Sequence, residues 1–262
     1  MDILSTIIAH KRFEIAGMKA AVPLEELSTT GFKHTPVSMK RSLAGSRSGI
    51  IAEFKRRSPS KGWLHRAARV ADVVPVYEAC GAAACSVLVD KSFFGGSPDD
   101  LAEARSLVKI PLLYKEFIID EYQILQARAV GADAVLLIAS VLTPAEVEKF
   151  TDAAHSLQME VLLEIHSEAE LCHLNPAVDM LGVNNRNLGS FVTDTYNSVR
   201  LAAAVKSVAS GYDTRPLLVS ESGIGSPEDM LPLREAGYRG FLIGEAFMRS
   251  GDTAGVLHAF TK

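Results

Sequence analysis

Residues 132–165 read ADAVLLIASVLTPAEVEKFTDAAHSLQMEVLLEI, and this segment contains the pattern on which the rest of the chain is built. Two apolar runs of strand length, at 132–140 and 159–165, flank a polar segment that opens with Thr143 and has Glu146 in its first turn. A hydroxyl that caps free amides and an early acidic residue are typical of the start of a helix. The segment therefore predicts a strand, a helix and a second strand that runs parallel to the first.

Eight apolar runs of this kind follow one another along the chain. They are GIIAEFK (49–55), AAACSVLVD (82–90), IPLLYKEF (110–117), ADAVLLIAS (132–140), MEVLLEI (159–165), DMLGVNN (179–185), PLLVSES (216–222) and GFLIGEA (240–246). The runs are nearly all apolar rather than alternating, as expected for parallel strands that are covered on both faces. Eight units of strand and helix predict an α/β fold, the closed (β/α)8 TIM barrel. The alternative is an open, doubly wound sheet, but no GxGxxG pattern follows the first run to support it.

The barrel pattern starts only near residue 49. We predict a single domain over residues 1–262, in which residues 1–48 form an extra N-terminal helical segment and residues 49–262 form the eight βα units. The segment opens with an amphipathic helix, because apolar side chains recur at helical spacing. They are Ile3, Leu4, Ile7, Ile8 and Ile15, and we expect Lys11, Arg12 and Glu14 on the opposite, polar face.

The composition excludes several classes of function. The 262 residues include 27 Lys and Arg against 31 Asp and Glu, a net charge of −4, so no basic excess is present for binding nucleic acid. No apolar stretch approaches the roughly 18 residues of a membrane span. The three cysteines and seven histidines lack metal-ligand spacing, so we expect no metal. The odd number of cysteines favours a reducing, cytoplasmic compartment.

Charged and amide side chains stand at the carboxyl ends of the predicted strands, where the active sites of such barrels lie. They are Glu53, Lys55, Lys115, Glu164, Asn184 and Glu221. Because they come from separate strands, we expect them to meet around one mouth. An ammonium held among carboxylates can donate a proton, and a crowded carboxylate can act as a base. The alternative is a structural ring of ion pairs that only closes the top of the barrel.

The last two units carry a signal for anion binding. SESGIG (220–225) follows the seventh run and IGEA (243–246) ends the eighth. Glycines at these positions let backbone amides approach an anion. Phosphate binding by the loops after strands seven and eight recurs in TIM barrels. The alternative is that the glycines serve only to form tight turns between strand and helix. The basic loop RRSPSKGW (56–63) could donate hydrogen bonds to an anionic substrate. Phe94, just after the second run, could contact an aromatic substrate or only pack at the edge of the barrel mouth.

Seven stretches between residues 49 and 249 carry a family resemblance. They are IAEFKRRSPSKG, LLYKEFIIDEYQI, GADAVLLI, LLEIH, LGVNNRNL, VSESGI and FLIGEAFM. Together they resemble the indole-3-glycerol phosphate synthase family of tryptophan biosynthesis. The resemblance implies a carboxy-lyase that needs no cofactor and acts on a phosphorylated small molecule, 1-(2-carboxyphenylamino)-1-deoxyribulose 5-phosphate. The ring carbon that bears the carboxylate attacks the sugar ketone, CO2 leaves, and loss of water gives indole-3-glycerol phosphate.

The resemblance also implies roles for individual residues. Lys115 would be the general acid at the ketone, and Glu164 the acid or base of the second step. Lys55 would hold the reacting carboxylate or share the donor role, while Glu53, Asn184 and Glu221 would orient the lysines and the sugar hydroxyls. The carboxylate of the substrate would be bound by Ser58 and Arg186. Its phosphate would be bound by Ser222, Gly223, Gly244 and the Glu245 amide. Its aromatic ring would lie in a pocket lined by Phe94, Phe117, Leu136, Leu188 and Ile243.

One position departs from the family pattern. Glu245 stands where many relatives have a serine, and a carboxylate cannot donate a hydrogen bond to phosphate, so we expect its side chain to point away. Two rivals remain. One is another sugar-phosphate barrel, such as phosphoribosylanthranilate isomerase or the tryptophan synthase α subunit, and the other is a catalytically silent barrel that binds a phosphorylated ligand. We expect a monomer or a weak homodimer.

Overall fold

Eight parallel strands form a closed barrel in the computed structural model of the chain, which describes residues 3–29, 32–187 and 192–262. The strands are β1 Ile50–Phe54, β2 Ala84–Leu88, β3 Leu112–Lys115, β4 Ala134–Ile138, β5 Glu160–Ile165, β6 Met180–Asn184, β7 Leu217–Glu221 and β8 Gly240–Ile243. Each strand pairs with the strands before and after it in the chain, and β8 closes on β1, where Ile50 lies opposite Phe241. The predicted barrel is confirmed, and the open sheet is excluded.

Helices connect the strands. Before β1 lie α1 Ile3–Ala21, α2 Leu24–Thr29 and α3 Met39–Gly45, and after it lie α4 Val70–Ala79, α5 Lys91–Phe94, α6 Pro98–Leu107, α7 Glu121–Ala129, α8 Pro144–Ser156, α9 Tyr196–Val208, α10 Met230–Ala236, α11 Glu245–Arg249 and α12 Thr253–Thr261. The start of α8 has the predicted chemistry, since Thr143 and Glu146 form a reciprocal capping box. The fifth unit differs, because a 3₁₀ helix, Glu168–His173, follows β5 in place of an α-helix.

Side-chain alternation along the strands separates the barrel interior from the layer between strands and helices. Ile51 of β1 and Leu162 of β5 belong to the interior cluster, while Ile50 packs in the outer layer. The next inward positions toward the carboxyl ends are Glu53 and Glu164. The same alternation that fills the core therefore aims the carboxylates at the upper mouth of the barrel.

The leading helices close both ends of the barrel. Met39 and Leu43 of α3 join the interior cluster at the amino ends of the strands. Ile3, Leu4 and Ile7 of α1 line the cavity at the carboxyl ends. The extension therefore supplies part of the wall around the site.

The prediction that Lys11 lies on the polar face of α1 is wrong. Lys11 is fully buried and shares one stripe of the helix with Ile7 and Ile15, which precede and follow it by four residues. Its Nζ lies 2.9 Å from Asp90 Oδ2 and donates a hydrogen bond of 2.9 Å to Glu116 Oε2. A buried ammonium requires such partners, and these two come from the ends of β2 and β3.

None of the helices in the described ranges is both long enough and apolar enough to cross a membrane.

Candidate active site

A cavity of about 1140 Å³ opens at the carboxyl ends of the strands. Its lining contains every predicted site residue apart from Leu188, which lies outside the described residues. Those in the lining are Glu53, Lys55, Ser58, Phe94, Lys115, Phe117, Leu136, Glu164, Asn184, Arg186, Glu221, Ser222, Gly223, Ile243, Gly244 and Glu245. Side chains that are far apart in the sequence therefore surround one space.

The charged floor of the cavity consists of Glu53, Lys55, Lys115, Glu164 and Glu221, and Lys115 contacts two of its carboxylates. Its Nζ donates hydrogen bonds of 3.0 Å to Glu164 Oε2 and of 2.7 Å to Glu221 Oε2. Both carboxylates are buried. Burial lowers the pKa of Lys115, but the charges of Glu164, Glu221 and Glu53 outweigh burial and raise the pKa well above its ordinary value. Lys115 is therefore a charged donor that faces the cavity.

The two carboxyls beside Lys115 have opposite tendencies. Burial acts to raise the pKa of Glu164, but the charges of Lys115 and His166 hold it below its ordinary value. Burial, together with the charge of Glu164, raises the pKa of Glu221 to about 7, and Lys115 offsets only part of this rise. Glu164 is therefore the ionised partner and Glu221 the one that holds a proton more readily.

A second ammonium and carboxylate pair lies on β1 and the loop that follows it. Lys55 Nζ donates to Glu53 Oε1, and Glu53 is buried. Gly244 of the β8 turn packs against this pair, because a Cβ atom at Gly244 would lie 2.6 Å from Glu53 Oε1 and 2.9 Å from its Cβ. The lack of a side chain at position 244 gives Glu53 the space in which it reaches Lys55.

An acceptor without a donor faces the same floor. Glu221 Oε1 is buried and has no hydrogen-bond partner among the described residues. This oxygen packs directly over Gly182 of β6, where any Cβ atom would collide with it. Asn184 lies opposite Glu221 in the strand register. A buried, unpaired carboxylate oxygen is costly, so the position suits a hydroxyl of a bound molecule.

The turn after β7 has an unusual backbone conformation at the edge of the cavity. Ser222 and Gly223 have φ angles of 68° and 80°, both in the left-handed region. This conformation is strained for serine, and both residues line the cavity together with Gly244. Asn185 stabilises the turn, because its Nδ2 donates a hydrogen bond of 3.0 Å to the Ser222 carbonyl. No role was predicted for Asn185, although it adjoins Asn184 in the run 179–185.

Glu245 joins three segments at the rim. Its carboxylate lies 3.1 Å from Lys61 Nζ and 3.5 Å from Arg186 Nη2, and its side chain lines the cavity. Burial acts to raise the pKa of Glu245, but Lys61, Arg249 and Arg186 hold it below its ordinary value. The side chain therefore reaches across the mouth to the cations of the neighbouring loops.

The remaining wall is apolar. The rings of Phe94 and Phe117 lie 6.0 Å apart between centroids, and Leu136 and Ile243 are buried beside the cavity. Ile3, Leu4 and Ile7 of α1 complete this wall. A flat aromatic group fits between such side chains, while the charged floor and the β7 turn suit polar groups at its other end.

The cluster around Lys11 adjoins the cavity through Asp90 and Glu116, which both line it. Burial, with a further contribution from Asp90, raises the pKa of Glu116 to about 7, although Lys11 acts in the opposite direction. The spacing of Lys11 from Ile7 and Ile15 is the signal that could have revealed this cluster. Within the described ranges no group of three or more His, Cys, Asp or Glu side chains is arranged to hold a metal ion.

His166 is a second residue beside the site for which no role was predicted. It follows the last residue of β5 and lies beside Glu164 without lining the main cavity. Its Nε2 lies 3.4 Å from Glu164 Oε1. Burial lowers the pKa of His166, but the carboxylates of Glu170, Glu164 and Glu221 outweigh burial and raise it.

Comparisons with known proteins agree on one family. The family model described as "Indole-3-glycerol phosphate synthase" matches residues 4–260. Curated proteins of the same name are similar along almost their whole lengths. One from Bacteroides thetaiotaomicron is 54% identical over 100% of this chain and 98% of its own. One from Neisseria meningitidis is 44% identical over 96% of each chain, and one from an Azoarcus strain is 41% identical over 98% of each.

Proposed function

Because the chain belongs to the indole-3-glycerol phosphate synthase family, we propose that its cavity closes the indole ring with Lys115 as the general acid and Glu164 as the base. The chain is a carboxy-lyase of tryptophan biosynthesis. It converts the phosphorylated substrate 1-(2-carboxyphenylamino)-1-deoxyribulose 5-phosphate to indole-3-glycerol phosphate, CO2 and water. Family membership decides against an isomerase-like or a catalytically silent barrel.

One observation carries the assignment of roles. A charged ammonium, Lys115 Nζ, lies within hydrogen-bond distance of two carboxylates of different basicity and faces the cavity. Lys115 gives a proton to the ketone oxygen while the ring carbon attacks the carbonyl carbon. Ionised Glu164 later removes the proton from the carbon next to nitrogen as the indole double bond forms. Both are positioned proton transfers of the kind that side chains catalyse.

The steps between these transfers need a second cation. Lys55 holds the reacting carboxylate until CO2 leaves. It also shares with Lys115 the donation of a proton to the departing hydroxyl group. Glu53 orients Lys55 through their hydrogen bond. Asn184 and the open Oε1 of Glu221 bind the sugar hydroxyls.

The two ends of the substrate bind at opposite sides of the floor. Arg186 and Ser58 take the carboxylate of the aromatic ring, since a guanidinium matches a planar carboxylate. The amides of Ser222, Gly223, Gly244 and Glu245 take the phosphate. The ring itself lies among Phe94, Phe117, Leu136 and Ile243.

The roles are tested by Lys115→Met and Glu164→Gln, with formation of indole followed by fluorescence and release of CO2 measured in parallel. Each variant should lose about 10²-fold or more in kcat, because a positioned acid or base contributes at least that much. Lys149→Met is the matched control, since Lys149 pairs with Glu121 on the outer surface. Near-normal kcat in Lys115→Met or Glu164→Gln refutes the role assigned to that residue.

We also propose that the protein acts in the cytoplasm as a monomer or weak homodimer, with residues 1–262 as one domain. Support comes from the biosynthetic family and from α1 and α3, which pack against both ends of the barrel. Sedimentation at several concentrations tests the oligomeric state, and a dimer that persists at nanomolar concentration contradicts it.

A further inference from the structure

Asn185 lies beside the site but faces away from it. Its neighbours in the chain, Asn184 and Arg186, both line the main cavity. Asn185 itself is buried, and its side chain bonds to Ser220 of β7 and to Ser198 of α9. Asn185 therefore acts on the cavity only through the residues that it holds in place.

The side-chain amide of Asn185 is fixed at both ends. Its Oδ1 accepts hydrogen bonds of 3.0 Å from the Ser198 N–H and of 2.9 Å from the Ser198 hydroxyl. Its Nδ2 donates hydrogen bonds of 3.2 Å to Ser220 Oγ and of 3.0 Å to the Ser222 carbonyl. Because the backbone N–H of Ser198 can only donate, the amide oxygen must face α9 and the amide nitrogen must face the Ser222 carbonyl.

The backbone of Asn185 holds the carbonyl that comes one residue earlier. Its N–H donates a hydrogen bond of 2.9 Å to the Glu221 carbonyl, so the successive carbonyls of Glu221 and Ser222 both bond to Asn185. Successive carbonyls of an extended strand point in opposite directions. The chain must therefore leave the strand conformation at Ser222, and it does so with a φ angle of 68°.

The left-handed conformation of this turn needs support, because it is unfavourable for a residue with a Cβ atom and persists only where the surroundings hold it. Asn185 gives support from a second direction, since its carbonyl accepts a hydrogen bond of 2.8 Å from the Asp194 N–H. The residues on either side of Asp194 pack against Gly223, where a Cβ atom would lie 2.8 Å from the Thr193 methyl group and 2.6 Å from that of Thr195. Asn185 therefore holds both residues of the turn.

We propose that Asn185 is a positioning residue that sets the affinity of the enzyme for the phosphate end of its substrate. It acts through Ser222 and Gly223, whose amides take the phosphate in the function proposed above, and the inference rests on that assignment. Without the Asn185 amide the Ser222 carbonyl is released, and the two amides leave the positions in which they meet the phosphate. Lys115 and Glu164 keep their contacts, so the loss falls on KM rather than on kcat.

Asn185→Leu tests the proposal, because leucine is similar in size but neither donates nor accepts a hydrogen bond. KM should rise by about 3–10-fold, the net value of one hydrogen bond, while kcat stays within about twofold of the wild-type value. Inorganic phosphate, used as a competitive inhibitor at constant ionic strength, should lose affinity by the same factor. 2-Aminobenzoate, which represents the ring end of the substrate, should inhibit as it does in the wild type.

Ser220→Ala is the matched control. It removes a hydroxyl from the same buried network but leaves the hydrogen bond between Asn185 Nδ2 and the Ser222 carbonyl. Urea unfolding should show that both variants are less stable than the wild type, whereas KM and inhibition by phosphate should change only in Asn185→Leu. Asn185→Ala repeats the test with a side chain too small to clash, in case the leucine variant does not fold.

Two results would overturn the role of Asn185. One is a loss of stability in Asn185→Leu with no change in affinity for phosphate, and the other is an equal loss of affinity for 2-aminobenzoate. Gly223→Ala separates these results from a failure of the proposed function, because its new methyl group would collide with Thr195 and displace the turn directly. If Gly223→Ala alone weakens inhibition by phosphate, only the role of Asn185 is refuted. If neither variant weakens it, the proposed place of the phosphate is refuted as well.

Discussion

Replacing Lys11 by methionine should lower the free energy of unfolding by about 3–5 kcal/mol at pH 8, the usual cost of removing one partner from a buried ion pair. The Lys11 ammonium lies 2.9 Å from Asp90 Oδ2, 2.9 Å from Glu116 Oε2 and 2.7 Å from Glu14 Oε2. Methionine replaces the stem of the lysine but leaves the carboxylates without a counter-ion. The Lys11 and Asp90 side chains are each only 1% exposed, so water cannot take over that role.

The loss of unfolding free energy in Lys11→Met should become smaller as the pH falls. Burial and the charge of Asp90 raise the pKa of Glu116 from 4.5 to about 7 even with Lys11 present. The folded protein therefore binds this proton more tightly than the unfolded chain, and stability decreases by about 3 kcal/mol as the pH rises through that window. Without Lys11 the pKa of Glu116 rises further. At pH 5.5 Glu116 is then neutral, and one of the uncompensated charges is gone.

Urea unfolding followed by circular dichroism at pH 5.5 and pH 8 measures both effects. Lys149→Met is the control, because Lys149 is exposed and its removal should leave the unfolding midpoint unchanged at either pH. If the free energy of unfolding of Lys11→Met is lower than that of the wild type by less than about 1 kcal/mol at pH 8, the energetic argument is refuted. If this loss in free energy of unfolding is larger at pH 5.5 than at pH 8, Glu116 is not the group that binds the proton.

The cavity itself yields three more predictions. Gly182→Ala should lower kcat by about tenfold or more, because the new methyl group displaces the Glu221 carboxylate, and an unchanged kcat contradicts this. Arg186→Ala should raise KM by about 10–100-fold with little change in kcat, as expected for lost hydrogen bonds between charged groups, whereas a normal KM with a collapsed kcat contradicts the placement. Glu245→Gln should lower KM several-fold at low salt and less at high salt, because Arg186 and Lys61 are then released for the substrate. An increase in KM would show that Glu245 assists binding.

Much of the fold and the assembly of the candidate site could be predicted because both depend on short-range patterns. The apolar runs define strands of a closed parallel sheet, and residues at the carboxyl ends of such strands must meet at one mouth. Lys115 and Glu164 come together for this reason, although β4 lies between their strands. The left-handed conformation of Ser222 was not predicted, because serine rarely adopts it.

The features that escaped prediction depend on partners that only the folded chain brings together. The helical pattern puts Lys11 on the apolar stripe, but only the positions of Asp90 and Glu116 explain why a charge is tolerated there. The role of Asn185 depends on the Ser222 carbonyl in the turn after β7. The 3₁₀ helix Glu168–His173 replaces a predicted α-helix, and the Glu170 carboxylate accepts the N–H groups of His166 and Ser167 in its first turn.

The alternation that aims Leu162 and Glu164 inward also restricts how the chain can change in length. Deleting or inserting one residue within β5 would turn each side chain beyond that point to the opposite face of the sheet. The carboxylate would then enter the layer under the helices, and an apolar residue would replace it over the substrate. Insertions and deletions that preserve activity are therefore confined to the connecting loops, whatever their effect on stability.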